Sequence, residues 1–420
     1  MKRKWLMGLA GTMLITGLVG CGSESDGDAS DNKSVTLRML AWGNGPAELE
    51  GDKEILDVFE EENPGIKVEL IHVPYDNVNE KFVTMSAGGD QPDVTWVRDT
   101  ALQSFASQNL LMELDELLAE AGLSEDEWLP GAWEMGRYED NVYALPRDLI
   151  THHIVYNKDM FDEAGVDYPE EGWTWDDFLE KAKDLTVEEN GKITQFGTSG
   201  YYWMEALLQN GGEVFSMDGT EVLIDTPESV EAISWIRDLS NLHKVSPTAT
   251  ESEGLGDLFL AGRAAMGIAG PWHWRAYAED GNFEWDIQEM PGGKEGNKSQ
   301  LLGLPVAIGS QTEHPEEAWK LLEFLTHGKG QEIQADIVGA YPSVISAADT
   351  FGTSHYAPDN IAIVAKAMEE NTVVQSFFPE KSEALTNVQP VIDQINNKDL
   401  DVEDELKKLG DKLRTEYNKK

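Results

Sequence analysis

Hydrophobic residues are laid down in two ways along this chain. From Trp5 to Val19 they form one apolar stretch without a charge, preceded by Lys2, Arg3 and Lys4. Beyond residue 34 they come in short stretches mixed with polar residues. Val35 to Trp42 (VTLRMLAW) alternates apolar and polar and runs into Gly43-Asn44-Gly45-Pro46, which predicts a strand ending in a loop. A helical pattern follows from about Ala47 to Glu62 and stops at Asn63-Pro64-Gly65, because proline and glycine both end helices. Ile66–Val73 reads as a second strand, Val78–Ala87 as a helix, Gly88-Gly89-Asp90 as a turn and Asp93–Val97 as a third strand. Strands separated by helices of about ten or more residues predict βαβ units and a mostly parallel sheet. Farther on, Thr174 caps a helix reaching Thr186, Pro227 and Pro315 each open another, and Val402–Tyr417 is an amphipathic helix. There is no internal repeat.

The first apolar stretch is short for a bilayer, which needs roughly 20 apolar residues. With its positive flank and the small residues after it, it has the form of a signal peptide; an uncleaved anchor is the other reading. Leu18-Val19-Gly20-Cys21 resembles the lipobox of bacterial lipoproteins, which implies cleavage before Cys21 and a diacylglycerol on its sulfur. Cys21 is the only cysteine, so the body of the protein makes no internal disulfide. Gly22 to Lys33 holds no hydrophobic residue larger than alanine and reads as a flexible tether. The remainder is long enough for two domains.

Charge narrows the partners. The chain carries 32 basic and 78 acidic residues, and loss of Lys2, Arg3 and Lys4 with the leader takes the formal charge from −46 to −49. Such a field repels nucleic acid and anionic lipid, and an acidic ligand would need local basic groups. The carboxylates are not clustered, so the charge reads as a surface suited to high salt or high pH rather than as a cation site. His152 and His153 are adjacent, and on a strand their side chains point to opposite faces, so they cannot share one ion. There is no CxxC, HxxxH or HExxH, and no GxSxG, P-loop or GxGxxG. With 78 acidic residues, a glycosidase pair cannot be read from carboxylate counts. The expectation is a protein without catalysis, metal or cofactor.

Seven stretches, taken in order, are similar to the extracellular solute-binding protein family 1, the group that includes maltose-binding receptors. They are NPGIKVEL (Asn63–Leu70), AGGDQPDV (Ala87–Val94), YNKDMFDEAGV (Tyr156–Val166), GWTWDDF (Gly172–Phe178), LLQNGGEVF (Leu207–Phe215), GRAAMGIAGPW (Gly262–Trp272) and HPEEAWKLLEFL (His314–Leu325). The resemblance implies an α/β fold of two lobes that close on a ligand like a hinged clamp, the motion periplasmic binding proteins use. The expected division is residues 1–20 as leader and 21–33 as tether. Residues 34–147 with 301–345 form the N-terminal lobe, and 148–300 with 346–420 the C-terminal lobe.

Ligands of open parallel sheets bind beyond the carboxyl ends of the strands, so residues just after predicted strands are the candidates. Trp272 follows the apolar run AAMGIA, and the resemblance makes it an aromatic platform for a sugar face; the competing reading is a core tryptophan. Trp274 flanks the site or points elsewhere. Trp42 ends the first strand, with Asn44 next to it as an amide ligand or simple turn residue. Arg98 and Asp99 follow VTWV, where the family places an acidic contact, although Asp99 could equally cap a helix. Arg147 and Asp148 stand at the expected first crossing between lobes, as ligand contacts or a hinge salt bridge. The resemblance puts Tyr201 at a contact position, and of the aromatic triplet Tyr201-Tyr202-Trp203 at least one residue is expected to face the cleft. Phe377-Phe378 reads as core packing.

The function this implies is a receptor lipid-anchored on the outer face of the cell membrane. It would act as a monomer, binding a sugar or oligosaccharide and delivering it to ABC permease subunits. Two other readings stand beside it. One is a receptor for a sugar phosphate or glycerol-phosphate-type solute, using Arg98 and Arg147; the other is a surface-anchored saccharide hydrolase.

Overall fold

The computed structural model describes residues 34–43, 45–129, 131–216, 219–374 and 382–417. The leader, Cys21, the tether, Asn44 and Phe377-Phe378 lie outside the described residues.

The first βα units form as the hydrophobic pattern predicts. Strand β1 (Val35–Trp42) pairs in parallel with β2 (Ile66–Val73) along its whole length, from Val35↔Ile66 to Trp42↔Val73, and with β3 (Val94–Trp96) on its other side. The helix Pro46–Glu62 joins β1 to β2, starting at a proline whose missing N–H costs nothing in the first turn. It buries Ile55, Leu56 and Phe59 against the sheet, where Phe59 meets Phe324 at 5.3 Å between ring centres.

A small hairpin of β4 (Arg137–Tyr138) and β5 (Asn141–Val142) leads into β6 (Ala144–Ile150). The chain then enters a second sheet through β7 (His153–Asn157), β8 (Val187–Glu189), β9 (Lys192–Thr198), β10 (Ala264–Ala269) and β11 (Trp285–Gln288). It returns by β12 (Ser299–Ile308), β13 (Tyr341–Pro342) and β14 (Thr372–Val374). The first sheet has the order β13-β6-β12-β3-β1-β2, with β14 on the start of β12; the second runs β11-β7-β10-β9-β8.

Two expectations are corrected here. Only β2–β1–β3, β9–β10 and β12–β14 are parallel; the other pairs are antiparallel. A strand arriving from the other sheet, as β12 does, runs against those that start in its own, so crossing segments break the parallel pattern. The first crossing falls at Thr151–His152 rather than at Arg147–Asp148, which sit inside β6. Residues 372–374 pair with Ser299–Leu301 of β12.

Each sheet has its own core. β10 is buried on every residue, which explains its unbroken apolar run: helices cover both faces, so no position faces water. The helices Val388–Lys398 and Val402–Tyr417 lay Ile392, Ile395, Leu406, Leu409 and Leu413 into this second core. Among the described residues no helix is long and apolar enough to cross a membrane.

Candidate ligand-binding site

The parallel strands of the two sheets aim their carboxyl ends at one space, a cavity of about 720 Å³. From the first sheet, β1 delivers Trp42, the turn after β2 delivers Tyr75, and β3 delivers Trp96 and then Arg98. From the second, β9 leads to Tyr202 and Trp203, and β10 leads to Pro271, Trp272 and His273. Trp42 meets Tyr75 at 5.5 Å and Trp96 at 5.2 Å, both edge to face. Across the cavity, the His152 ring stands nearly perpendicular to Tyr202 at 4.9 Å and to Trp272 at 6.0 Å.

Charged groups fill the floor. The Arg147 guanidinium lies over Trp96 at 4.3 Å, donates from Nε to Asp148 at 3.0 Å and comes within 3.5 Å of Asp52. Arg98 lies over Tyr75 at 4.0 Å. Asp52 comes from the helix Pro46–Glu62, whose Glu48, Gly51 and Asp52 line the cavity at helical spacing. Burial pushes the Asp52 carboxyl up to about 7, against the pull of Arg147, and burial likewise raises Asp148. Two carboxylates thus share one guanidinium in a place where water is scarce, and burial wins. Several buried atoms around this cavity have no hydrogen-bond partner in the protein, among them Asp52 Oδ2, Asp148 Oδ1, Trp96 Nε1, Arg98 Nε and His273 Nδ1. Buried polar atoms left unpaired are costly, at about 1–3 kcal/mol each, so these atoms mark unmet bonding capacity around the cavity.

Six of the residues expected from the sequence line this space: Trp42, Arg98, Arg147, Asp148, Trp203 and Trp272. Two do not. Trp274 is fully buried, donating its indole N–H to His153 Nε2 at 3.1 Å. That bond needs an uncharged His153, and burial holds its ring down at about 3. Tyr201 points into the second core, where its hydroxyl donates to Gln209 at 2.7 Å, and Tyr202 takes the cavity position instead. The side chain of Asp99 and all of Asn44 lie outside the described residues. Sequence reasoning missed Tyr75, Trp96, Asp52, His152 and His273, and it singled out the triplet holding Tyr202 without choosing that residue. Tyr75 stands just beyond a strand end, so the rule that selected Trp42 covers it too; Asp52 carries no local signal. No group of three or more potential metal ligands occurs among the described residues.

A cleft lined from two sheets, aromatic on its walls and polar on its floor, is the site of a two-lobed solute receptor. Residues 27–332 match the family described as bacterial extracellular solute-binding protein, and the chain belongs to that family. A lipoprotein of Streptomyces antibioticus is 27% identical over 341 residues, covering 76% of this chain and 71% of that protein. An arabinooligosaccharide-binding protein of Halalkalibacterium halodurans is 24% identical, covering 72% and 69%. Among solved structures, an ABC substrate-binding protein of Listeria monocytogenes in complex with cycloalternan superposes with a TM-score of 0.83 at 24% identity, covering 91% of this chain and 98% of that one.

Proposed function

We propose that this chain is the substrate receptor of an ABC importer, taking a neutral sugar or short oligosaccharide into the cleft and passing it unchanged to permease subunits. The observation that carries this reading is the pairing of aromatic walls with engaged cations. Trp42, Tyr75 and Trp96 face the cavity from one side, and Tyr202 and Trp272 from the other. A sugar has C–H faces that such rings cover and a polar rim that carboxylates and amides bond. Arg147 is held by Asp148, and Arg275 by Glu54 and Glu279, while Arg98 rests on Tyr75. An anionic solute would have to compete with the ion pairs of Arg147 and Arg275 inside a chain of formal charge −46. The saccharides named for the Listeria and Halalkalibacterium proteins support the same ligand class.

On this reading the protein works as a monomer at the cell surface, held by lipid on Cys21, a role supported by the lipoprotein naming of the Streptomyces relative. The lobes built on the two sheets close over the ligand because it touches both. The test is a melting screen with maltotriose, mannotriose, arabinotriose and glycerol 3-phosphate, with the products run on thin-layer plates. A saccharide at 100 times its Kd should add about 2.7 kcal/mol of stability. Stabilisation by glycerol 3-phosphate alone would replace the sugar reading, and turnover of any oligosaccharide would replace the receptor reading with a hydrolase.

A further inference from the structure

Glu205, on the helix Trp203–Asn210, is completely buried, yet it is surrounded by donors. His152 Nδ1 lies 2.5 Å from its Oε1, the backbone N–H of Gln300 donates to its Oε2 at 3.2 Å, and the Ser299 hydroxyl stands 3.4 Å away. Ser299 Oγ in turn accepts the backbone N–H of His152 at 3.3 Å. A buried carboxylate is costly unless its lone pairs are bonded, and here the donors come from two segments that pass between the sheets: Thr151–His152 and the start of β12. Such a carboxylate only accepts, so Nδ1 of His152 carries the hydrogen and, in the neutral ring, Nε2 is left as an acceptor. No described residue bonds Nε2, and His152 lines the cavity with its ring set edgewise against Tyr202 and Trp272.

We infer that His152 is a specificity-determining ligand residue: Nε2 receives a hydroxyl from the rim of a sugar whose face lies on Trp272, and Glu205 is the positioning residue that fixes the ring's tautomer and direction. The inference rests on the carbohydrate reading. It adds that recognition is built into a segment joining the lobes, so the hydroxyl it selects is bonded where the lobes meet.

The test uses whichever of maltotriose, mannotriose and arabinotriose binds the full wild-type chain most tightly. His152→Asn keeps an amide near Nδ1, in reach of Glu205, but lacks the atom that faces the cavity; His152→Gln does the reverse. The Asn variant should melt near wild type and bind about 10- to 100-fold more weakly, with Gln recovering part of the loss. An Asn variant that binds like wild type overturns the inference. If it does not fold, wild-type protein labelled with nitrogen-15 in its imidazoles decides the matter. The sugar should shift an Nε2 signal whose own Nδ1 is protonated, and no such shift refutes the assignment. In Glu205→Gln the same spectrum should show that Nδ1 hydrogen lost or shared, with weaker binding; an unchanged tautomer removes Glu205 from its role. If none of the three sugars binds wild type, the carbohydrate reading fails and this inference falls with it.

Discussion

One methyl group at residue 270 should empty the Trp272 platform. Gly270 is extended (φ −129°, ψ 178°), a conformation alanine adopts freely, so the substitution strains no backbone. Its new Cβ would, however, lie 1.9 Å from Cζ3 of Trp272, 2.2 Å from Cη2 and 2.5 Å from Cε3. Carbon atoms sit about 3.5–4.0 Å apart at rest, so the indole must move by about 1.5–2 Å or swing away. Trp272 is only half-buried, and the cost to the fold should stay within the roughly 1–3 kcal/mol of an overpacked site. Affinity should suffer more. A stacked sugar face covers about 80–100 Å² of apolar surface, worth roughly 2–2.5 kcal/mol at ~25 cal/mol per Å². That converts to about 30- to 70-fold in Kd. Titration calorimetry and melting on the same samples of Gly270→Ala, Trp272→Ala and the double variant make a closed cycle. Once the indole is gone the methyl has room, so the double variant should bind like Trp272→Ala alone. Wild-type affinity in Gly270→Ala would refute the platform, and so would additive losses in the double variant.

Four further outcomes are expected. Trp274→Ala should cost roughly 3–5 kcal/mol of stability, as for a buried aromatic, while the folded fraction binds normally; weak binding with unchanged melting would return Trp274 to the site. Asp52 has its carboxyl raised from 3.8 to about 7, so the folded state holds a proton that the unfolded chain releases. Stability from this group is therefore lost as pH rises from about 4 to 7, by on the order of 2–4 kcal/mol. Asp52→Asn should flatten that part of the melting-versus-pH curve, and parallel curves for the two proteins would sink the argument. Cys21→Ser should leave the membrane fraction or remain unprocessed; a variant that is cleaved and sediments with membranes as before denies the lipid anchor. Finally, X-ray scattering should record a smaller radius of gyration with a saturating sugar, and an unchanged radius would count against closure of the lobes.

The sequence made the strands and the ends of the strands legible, and the site only as far as those ends carry it. Trp42, Arg98 and Trp272 follow directly from strand-then-loop patterns. Trp272 and Trp274 are two residues apart where a 3-10 turn becomes a helix, so their side chains leave in different directions. Nothing local says which one meets the ligand; His153, waiting in the core, decides it for Trp274. The same holds for Tyr201 and Tyr202, neighbours in an irregular stretch without a period to sort them. Asp52, His152 and Glu205 are harder still. Each is an ordinary polar residue in its own segment and gains its meaning from partners about 50 to 100 positions away, which no window of sequence contains.

The place of β12 has a consequence for how the chain is made. It lies between β6 and β3 in the middle of the first sheet, yet it consists of residues 299–308, some two hundred positions after β3 ends. Until those residues emerge, β3 and β6 have no shared neighbour, and the earliest part of the polypeptide keeps open strand edges. Closing so long a loop before any contact rewards it makes folding slow. The first lobe cannot finish without the second having been synthesised, so the two are expected to mature together, as one late event rather than in order of birth.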